Sequence, residues 1–441
     1  MASLLIRGGT VVTMNDRFEI VDGDVSIRDG RIAAIDSNIT TPHDALIDAA
    51  GGYILPGLIQ THVHLCQTLF RGYADDRPLM DWLRTRVWPM EAAHTPATLR
   101  AAARLAATEL LASGTTAVLT METVHDTEVV FEEIEASGLR ATIGKCMMDF
   151  DAQVPKRLQE ETRASIDESV SIRARWDGAA GGRLRAAFAP RFAVSCSRAL
   201  LEAVADLSSA QQALVHTHAS ESRDEIAIVQ QISGARSNIE YLASLRLASP
   251  HLCAAHCVWA DERDQRILAD HDVKVMHCPG SNLKLGSGIA PVPEMRARGI
   301  TVSLGADGAA CNNRLDMFDE MRLAAVLQAM RKQPGVLPAR DVLWMATREG
   351  ARTLGLEREI GSLEVGKKAD VIVVDRDRPH LAPAPDPYST LVYAARGSDV
   401  RTTIVDGAVL VRDFAPVRLD RAEVAAAARR AAHDLFSRAG V

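Results

Sequence analysis

Hydrophobic and polar positions alternate in two different ways along this chain. At both ends, short β-branched runs are separated by Gly or Asp-Gly turns, as in SLLIRGGTVV near the start and GSLEVGKKADVIVVD from residue 361. This pattern is typical of β-hairpins. We therefore expect residues 1–56 and 361–441 to join in one small β-sandwich domain, which ends in an Ala/Arg-rich helix.

The middle of the chain, residues 57–360, alternates between short apolar runs and longer amphipathic stretches. The stretches, such as PATLRAAARLAATELLASG, have helical spacing and end at glycine. The eight runs predicted as strands are ILPGLIQTHVH, TTAVLTME, LRATIGKCMMD, RLRAAFAPRF, ALVHTHASE, LCAAHCV, VKVMHCP and TVSLGADG. Strand–helix units of this number predict a barrel. The predicted fold class is α/β, a (β/α)8 TIM barrel with a small β-sandwich domain built from both termini.

Length and composition narrow the classes of protein that fit this pattern. A chain of 441 residues suits a large domain with a satellite, because single cores rarely exceed about 250–300 residues. The formal net charge of −7 argues against a nucleic-acid-binding protein. We expect neither a secretory signal nor a membrane helix, because no sufficiently long apolar run occurs. The seven scattered cysteines favour reduced thiols and a cytoplasmic location.

Histidines gather at the predicted C-terminal ends of the strands, where barrel enzymes carry their catalytic groups. Those at such ends are His62, His64, His216, His218, His256 and His277. His62 and His64 are two residues apart, so both side chains point to the same face of the strand. An isolated pair of this kind would more often be two core histidines. The further histidines at equivalent levels favour a metal site.

The residues themselves predict a single metal ion. His218 lies nearer the end of its strand than His216, so we interpret His218 as a ligand and His216 as a packing residue. Asp307 closes the eighth strand, and a buried carboxylate without a cation would be costly. The fourth strand ends without a lysine, so a second metal bridged by a modified lysine is unsupported. Three histidines and a carboxylate would leave one position open for a water, whose pKa a catalytic zinc lowers to ~7.

Several segments resemble, in the right order, the motifs of the amidohydrolase superfamily. LPGLIQTHVH is similar to its first-strand motif, HASE, AAHCVW, HCPGSNLKLGSGIAPV and LGADGAACNN to later ones, and GSLEVGKKADVIVVD to its C-terminal β-sandwich element. QTLFRGYADDRPLMDWLRTRVWPMEAAHT resembles the aminohydrolase branch, which acts on amino-substituted heteroaromatic rings. Within it, the chain resembles deaminases of 5'-deoxyadenosine, methylthioadenosine and S-adenosylhomocysteine, and is also similar to N-ethylammeline chlorohydrolase and guanine deaminase.

The resemblance implies a set of metal ligands and catalytic groups. The implied ligands are His62, His64, His218 and Asp307, and the implied catalytic residues are Glu221, His256 and Asp307. Glu221 would carry a proton to the ring nitrogen, although it is also compatible with ordinary surface charge in a polar loop. Zn2+ is the expected ion, and Fe2+ or Mn2+ would also suit these ligands.

Substrate contacts are a second set of expectations from the resemblance: Gln67, Trp82, Lys145, Arg157, Arg191 and His277. Trp82 matches an aromatic wall beside the purine, or is a core residue of an amphipathic helix. Compared with adenosylhomocysteine deaminases, Lys145 replaces an arginine and Arg191 replaces a histidine, whereas Arg157 matches. Arg157 also has helix-pair spacing to two glutamates. Gln67 and the Pro-Arg-Phe run around Arg191 are instead similar to guanine deaminase.

We therefore expect a metal-dependent hydrolase that removes ammonia from a 6-aminopurine nucleoside, with 5'-deoxyadenosine or a related 5'-modified adenosine as substrate. One alternative is a deaminase or chlorohydrolase acting on guanine, a pterin or an s-triazine. Another is a non-catalytic scaffold on the same fold, which would need none of the catalytic residues. The expected partner is a small heteroaromatic molecule, with no nucleic acid and no membrane, and a homodimer or higher homo-oligomer is compatible.

Overall fold

The computed structural model describes residues 3–150 and 153–440. No helix within these ranges is long and apolar enough to cross a membrane. The chain begins with five short strands: β1 (Leu4–Val12), β2 (Ile20–Arg28), β3 (Arg31–Asp36), β4 (Ala45–Asp48) and β5 (Tyr53–Pro56). The β2–β3 turn falls at Asp29-Gly30 and the β4–β5 turn at Gly51-Gly52, as the pattern predicts, whereas Gly8-Gly9 and Asp22-Gly23 lie inside β1 and β2.

Eight parallel strands follow and form a second sheet. They are β6 (Leu58–Val63), β7 (Thr115–Met121), β8 (Arg140–Met147), β9 (Leu184–Pro190), β10 (Val215–Ala219), β11 (Leu252–His256), β12 (Lys274–His277) and β13 (Val302–Leu304). Each strand pairs with the next in chain order. Each lies within one of the apolar runs from which a strand was predicted.

The first and last barrel strands meet along a seam with few backbone hydrogen bonds. The Thr61 hydroxyl donates to the carbonyl oxygen of Leu304 at 2.9 Å, and the Asp307 amide donates to the carbonyl oxygen of His62 at 3.0 Å. Gly305 permits this approach, because a Cβ there would lie 2.6 Å from the His62 oxygen. The space that Gly305 leaves is therefore filled by His62.

The remaining strands return to the first sheet. They are β14 (Val371–Val374), β15 (Val400–Val405), β16 (Ala408–Arg412) and β17 (Ala415–Pro416). Strand β14 pairs antiparallel with β5, which joins both ends of the chain in one nine-stranded mixed sheet. The predicted fold class, a TIM barrel with a β domain from both termini, is confirmed.

Helices cover the outside of the barrel and connect its strands. The α-helices are α1 (Leu79–Trp82), α2 (Trp88–Ala92), α3 (Pro96–Ala112), α4 (Glu128–Ser137), α5 (Thr162–Trp176), α6 (Ala179–Gly182), α7 (Arg198–Gln211), α8 (Arg223–Ser233), α9 (Asn238–Ser244), α10 (Glu262–Asp270), α11 (Pro279–Lys284), α12 (Val292–Ala297), α13 (Met317–Arg331), α14 (Ala339–Trp344), α15 (Gly350–Thr353), α16 (Pro387–Ser389) and α17 (Arg421–Ala439). Short 3-10 turns span Leu65–Phe70, Lys156–Leu158, Pro379–Leu381 and Gly397–Asp399, and π-helical turns span Leu83–Val87, Met345–Glu349 and Thr390–Ala394.

Local sequence explains where the long helices begin and end. Thr95 caps α3 by accepting the backbone N–H of Thr98, and Pro96 occupies the first helical position, where a missing N–H costs nothing. Helix α4 ends at Gly138, which takes a left-handed φ of 90°. The C-terminal helix α17 packs against α3, so the end of the chain covers the outside of the barrel.

A buried ion pair connects the two sheets. Arg140 at the start of β8 donates through Nε and Nη2 to both carboxylate oxygens of Asp370, at 2.7 and 2.9 Å. Asp370 directly precedes β14, and the two side chains are only 5% and 2% exposed. The carboxylate also accepts the backbone N–H of Asp406. Both carboxylate oxygens of Asp370 therefore accept hydrogen bonds. Removal of either side chain would leave the other charge buried and unpaired.

Replacing Arg140 should test this link. The substitution Arg140→Met would leave the Asp370 carboxylate buried without a counter-charge, which should lower the free energy of unfolding by about 3–5 kcal/mol. Arg163→Met is the matched control, because Arg163 pairs with Asp167 on the surface of α5 and is 82% exposed. That change should cost at most about 1 kcal/mol. Equal losses in chemical unfolding of the two variants would contradict the role assigned to Arg140.

Candidate active site

Four side chains converge at the C-terminal rim of the barrel: His62 and His64 from the end of β6, His218 from β10, and Asp307 from the loop after β13. One possible ligand atom from each lies within 4.8 Å of the others. The Nε2 atoms of His62 and His64 are 3.3 and 3.2 Å from the Asp307 Oδ1. His218 Nε2 is 3.3 Å from His64 Nε2. The predicted ligands thus form one cluster although they lie far apart in sequence.

The outer hydrogen bonds of two histidines determine which nitrogen faces this centre. His64 Nδ1 is 2.8 Å from the carbonyl oxygen of Met121, and His218 Nδ1 is 2.6 Å from that of Arg191. A carbonyl oxygen only accepts, so both Nδ1 atoms carry the proton. The Nε2 lone pairs therefore point inward, which is the arrangement that metal-bound histidines adopt.

His62 is held by the histidine that sequence analysis assigned to packing. Its Nδ1 lies 2.6 Å from His216 Nε2, whereas its own Nε2 is buried and has no hydrogen-bond partner among the described residues. Burial lowers the pKa of His62 to about 4, which favours the neutral, ligating form. An unpartnered imidazole nitrogen aimed at two further imidazoles and a carboxylate fits a divalent metal ion.

Asp307, in the loop after β13, and His256, at the end of β11, both have left-handed backbone, at φ values of 61° and 70°. Non-glycine residues adopt this conformation at a cost, and it tends to persist where function requires it. Burial alone would raise the pKa of Asp307, but the neighbouring imidazoles, His62 first, hold that pKa well below its usual range. The carboxylate therefore stays ionised inside the barrel.

Glu221 lies across the site from Asp307. Its Oε1 accepts the Ser287 hydroxyl at 3.1 Å, and its Oε2 is 3.6 Å from His256 Nε2. The same His256 nitrogen is 3.9 Å from Asp307 Oδ2 and has no hydrogen-bond partner among the described residues. Burial raises the pKa of Glu221, so this carboxyl retains a proton more readily than an exposed glutamate. His256 thus lies between two carboxyl groups with opposite pKa shifts.

The backbone that carries Glu221 is tied down by the helix that follows it. Ser222 and Glu225 form a capping box at the start of α8. Glu225 Oε2 also accepts the backbone N–H of Glu221 at 2.7 Å, and its other oxygen accepts from Asn238. Glu221 was predicted from the sequence and Glu225 was not, although the S-x-x-E spacing in SESRDE is the signal for such a cap.

A small cavity opens beside this cluster. Its lining residues are His64, Gln67, Leu79, Trp82, Leu83, Arg191, Phe192, His218, Glu221, Leu285 and Asp307. Three predicted substrate contacts, Gln67, Trp82 and Arg191, are therefore on its wall. The indole N–H of Trp82 is buried and lacks a partner in the part of the chain that the structure describes. Trp82 belongs both to the helical core and to the cavity wall, so its two sequence interpretations are not exclusive.

A buried acid behind the cavity wall was missed by sequence analysis. Glu91 in α2 forms an ion pair with Arg191 at 2.6 Å and accepts the amide of Gln67 at 2.9 Å. The signal was present, because Glu91 is the one acid in the otherwise apolar run VWPMEAA. An acid in such a run either faces solvent or needs a buried cation, and Arg191 supplies it.

Three other predicted contacts do not line the cavity. Lys145 is 1% exposed and pairs with Glu160 at 2.6 Å, the glutamate that sequence analysis considered for Arg157. Arg157 donates to the carbonyl oxygen of His94 at 3.0 Å. His277 is buried with neither ring nitrogen bonded to a described residue, and burial lowers its pKa to about 3. These three residues are brought near the barrel's end but not onto the cavity surface.

The chain is similar over nearly its whole length to proteins of one family. The model of the amidohydrolase family matches residues 53–410. A 5'-deoxyadenosine deaminase of Methanosarcina acetivorans is 40% identical over 441 residues, which cover 100% of both chains. A 5-methylthioadenosine/S-adenosylhomocysteine deaminase of Haloarcula marismortui is 38% identical, again over 100% of both chains. The crystal structure of an adenosine deaminase from Xanthomonas campestris with bound zinc superposes with a TM-score of 0.93, 31% identity and 98% coverage of both chains.

The parallel barrel with its rim of histidines and carboxylates defines a hydrolytic barrel enzyme with a candidate metal centre. The chain belongs to the amidohydrolase family, which confirms the resemblance drawn from the motifs.

Loss of a ligand should be visible as loss of metal. His218→Gln removes one of the Nε2 atoms that face the proposed metal. Loss of a residue that only hydrogen-bonds a metal ligand weakens metal binding by roughly 10–100-fold, and loss of a ligand itself should weaken it more. Metal per chain, measured by elemental analysis after dialysis against dilute chelator, reports this directly. His433→Gln on the exposed side of α17 is the control. Equal metal content in both variants would exclude His218 from the centre.

Proposed function

We propose that this protein is a metal-dependent hydrolytic deaminase of a 6-aminopurine nucleoside, with 5'-deoxyadenosine or a related 5'-modified adenosine as substrate. Water replaces the 6-amino group, and the products are ammonia and the inosine-type nucleoside. The observation that carries the proposal is the placement of two carboxyl groups, Glu221 and Asp307, on the wall of one cavity with His256 between them. The names of the full-length relatives support the same chemistry.

The ligand set proposed for the metal is His62, His64, His218 and Asp307. A divalent ion held there supplies positive charge and a water of lowered pKa. We propose Zn2+, because imidazole and carboxylate donors suit it and a similar structure holds zinc, with Fe2+ or Mn2+ as alternatives.

The protein's own groups then account for the proton transfers. Glu221, held by Ser287, carries a proton from the attacking water to the ring nitrogen beside the reacting carbon, so negative charge does not build up on the ring. Asp307 accepts the remaining hydroxyl proton and delivers it to the departing amino group. His256 orients the attacking oxygen through Nε2, because its Nδ1 is held 2.9 Å from the Asn282 amide oxygen.

The charges around the cavity favour a substrate with a small neutral 5' group. Arg191 is the cavity's one lysine or arginine among the described residues, and Glu91 neutralises it. Lys145 and Arg157 are engaged with Glu160 and the backbone of His94. An amino-acid carboxylate, as in S-adenosylhomocysteine, would therefore find no unpaired cation on the cavity wall among the described residues. This distribution ranks 5'-deoxyadenosine and methylthioadenosine above S-adenosylhomocysteine.

Two further properties belong to the same proposal. All seven cysteines are buried and unpaired, which suits a cytoplasmic protein. A homodimer or higher homo-oligomer is compatible with the fold. The small-molecule substrate is the partner on which the proposal depends.

A screen for ammonia release tests the substrate class. The purified, zinc-loaded protein is offered 5'-deoxyadenosine, methylthioadenosine, S-adenosylhomocysteine, adenosine, guanine, a pterin and an s-triazine, and ammonia is measured for each. We expect the highest kcat/KM for 5'-deoxyadenosine or methylthioadenosine, because their 5' groups are small and neutral. Release from guanine, the pterin or the triazine alone would replace this proposal with the alternative substrate class.

Removal of the proton-carrying group tests the mechanism. Glu221→Gln keeps the size of the side chain and its bond to Ser287 but cannot transfer a proton. Activity should fall by about 10²–10⁴-fold, the range for general acid–base catalysis, at unchanged metal content. Glu262→Gln at the exposed start of α10 should retain full activity. A Glu221→Gln enzyme as active as this control would refute the assignment.

A further inference from the structure

His64, one of the proposed metal ligands, lies at the junction between a strand and a 3-10 turn. It follows the last residue of β6 and is the cap residue of the turn Leu65–Phe70, at φ −120° and ψ 97°. A cap residue normally uses its side chain to accept one of the first backbone N–H groups that follow it. The His64 side chain makes no such bond, because its Nδ1 is hydrogen-bonded to Met121 and its Nε2 faces the proposed metal.

A glutamate at the end of the neighbouring strand supplies the missing cap. Glu122 directly follows β7, and it is only 1% exposed. Its Oε1 accepts the backbone N–H of Leu65 at 3.2 Å, and its Oε2 accepts that of Cys66 at 3.0 Å. The Thr120 hydroxyl also donates to Oε1. These donors are neutral groups, although a buried acid is usually paired with a cation. The carboxyl group is therefore placed to hold the backbone that follows His64.

The pairing of β6 with β7 is interrupted just before this junction. Between Gln60 and Val63, two residues of β6 lie opposite one residue of β7. A bulge of this kind disrupts the ladder locally and changes the direction of the strand. The direction in which His62 and His64 leave β6 therefore depends on contacts outside the ladder. The seam with β13 holds the carbonyl oxygen of His62, and Glu122 provides the contacts on the other side.

The backbone of Glu122 is itself fixed. Its N–H donates to the carbonyl oxygen of Gly144 on β8 at 2.9 Å. The preceding carbonyl oxygen, that of Met121, accepts from His64 Nδ1 at 2.8 Å. The end of β7 thus holds His64 at two points, the ring through Met121 and the backbone through Glu122. Two fixed points determine the direction of the imidazole ring and hence the place of its Nε2 atom.

We propose that Glu122 is a positioning residue of the metal centre, a role that rests on the metal site of the proposed function. It holds the backbone that follows His64 and thereby keeps Nε2 where a metal ion shared with the other ligands requires it. The Glu122 side chain does not line the cavity, so it acts through His64 and not on the substrate. A residue that supports a metal ligand in this way typically contributes about 10–100-fold to metal affinity.

Two substitutions separate the position of the carboxyl group from its charge. Glu122→Gln keeps the length of the side chain but replaces one accepting oxygen with an NH2 group. Glu122→Asp keeps the negative charge but is one methylene shorter, so it cannot reach both N–H groups. We expect each variant to bind Zn2+ about 10–100-fold more weakly than wild type, measured in competition with a chromophoric chelator. The visible absorption spectrum of the Co2+-loaded protein should also change, because it reports the geometry of the ligands.

The matched control is Glu349→Gln, at a partly buried glutamate that also accepts a backbone N–H of a barrel strand, that of Val302 at the start of β13. Because this contact lies at the opposite end of the barrel, the metal-free protein should lose unfolding free energy while Zn2+ affinity and the Co2+ spectrum stay unchanged. The same pattern in both Glu122 variants would overturn the proposal, because it would show a purely structural role. Wild-type Zn2+ affinity in Glu122→Asp alone would also overturn it, because charge and not position would then matter.

Zn2+ binding by the wild type separates this inference from the proposed function. If wild type binds no Zn2+, or if His218→Gln binds it as tightly, the proposed centre fails and the role of Glu122 fails with it. If wild type binds Zn2+ through these ligands but releases ammonia from no nucleoside, the proposed function fails and metal affinity still decides the role of Glu122. Where Glu122→Gln does not fold, Glu122→Asp decides by itself, because it keeps the charge and loses only the reach.

Discussion

The seam between the first and last barrel strands is the constraint on which the active site depends. Gly305 allows β13 to approach the backbone of His62, and the Asp307 amide then donates to the His62 carbonyl oxygen. This contact brings a carboxylate from one end of the barrel domain to within 3.3 Å of imidazoles from the other end. The left-handed backbone of Asp307 is retained there because the surrounding hydrogen bonds offset its cost. Without this approach the four proposed ligands would not share one centre.

Burial then separates the properties of chemically similar groups. Glu221 and Asp307 are both enclosed, yet the pKa of Glu221 is raised by burial whereas nearby histidines keep that of Asp307 low. Their environments thus favour different protonation states, which is how one site can both donate and accept protons. Hydrogen bonds to the far side of these residues fix their protonation and position. Carbonyl oxygens hold the protons of His64 and His218 on Nδ1, and Glu225 holds the backbone of Glu221 in place.

The part of the cavity wall formed by Gln67 and Arg191 is polar, and together with Glu91 it carries no net charge. Glu91 and Arg191 form an ion pair that cancels their charges, and Gln67 donates its amide to the same carboxylate. A wall of this kind contributes little long-range attraction for an ion. Motif similarity alone gave a mixed picture of the substrate, since the same residue types suit an oxo group or a hydroxyl depending on their neighbours.

Periodicity and turn residues in the sequence determined the barrel, its eight strands and the second β unit, because strand and helix patterns are local properties of the chain. The strand ends were equally readable, so His62, His64, His218 and Asp307 could be grouped by their positions alone. Tertiary structure decided what those local patterns leave open. It paired Lys145 with Glu160 rather than with a ligand, placed His277 off the cavity, and set Glu91 behind Gln67. Each of these outcomes depends on which charge a distant segment brings to a buried position, and no local pattern encodes that choice.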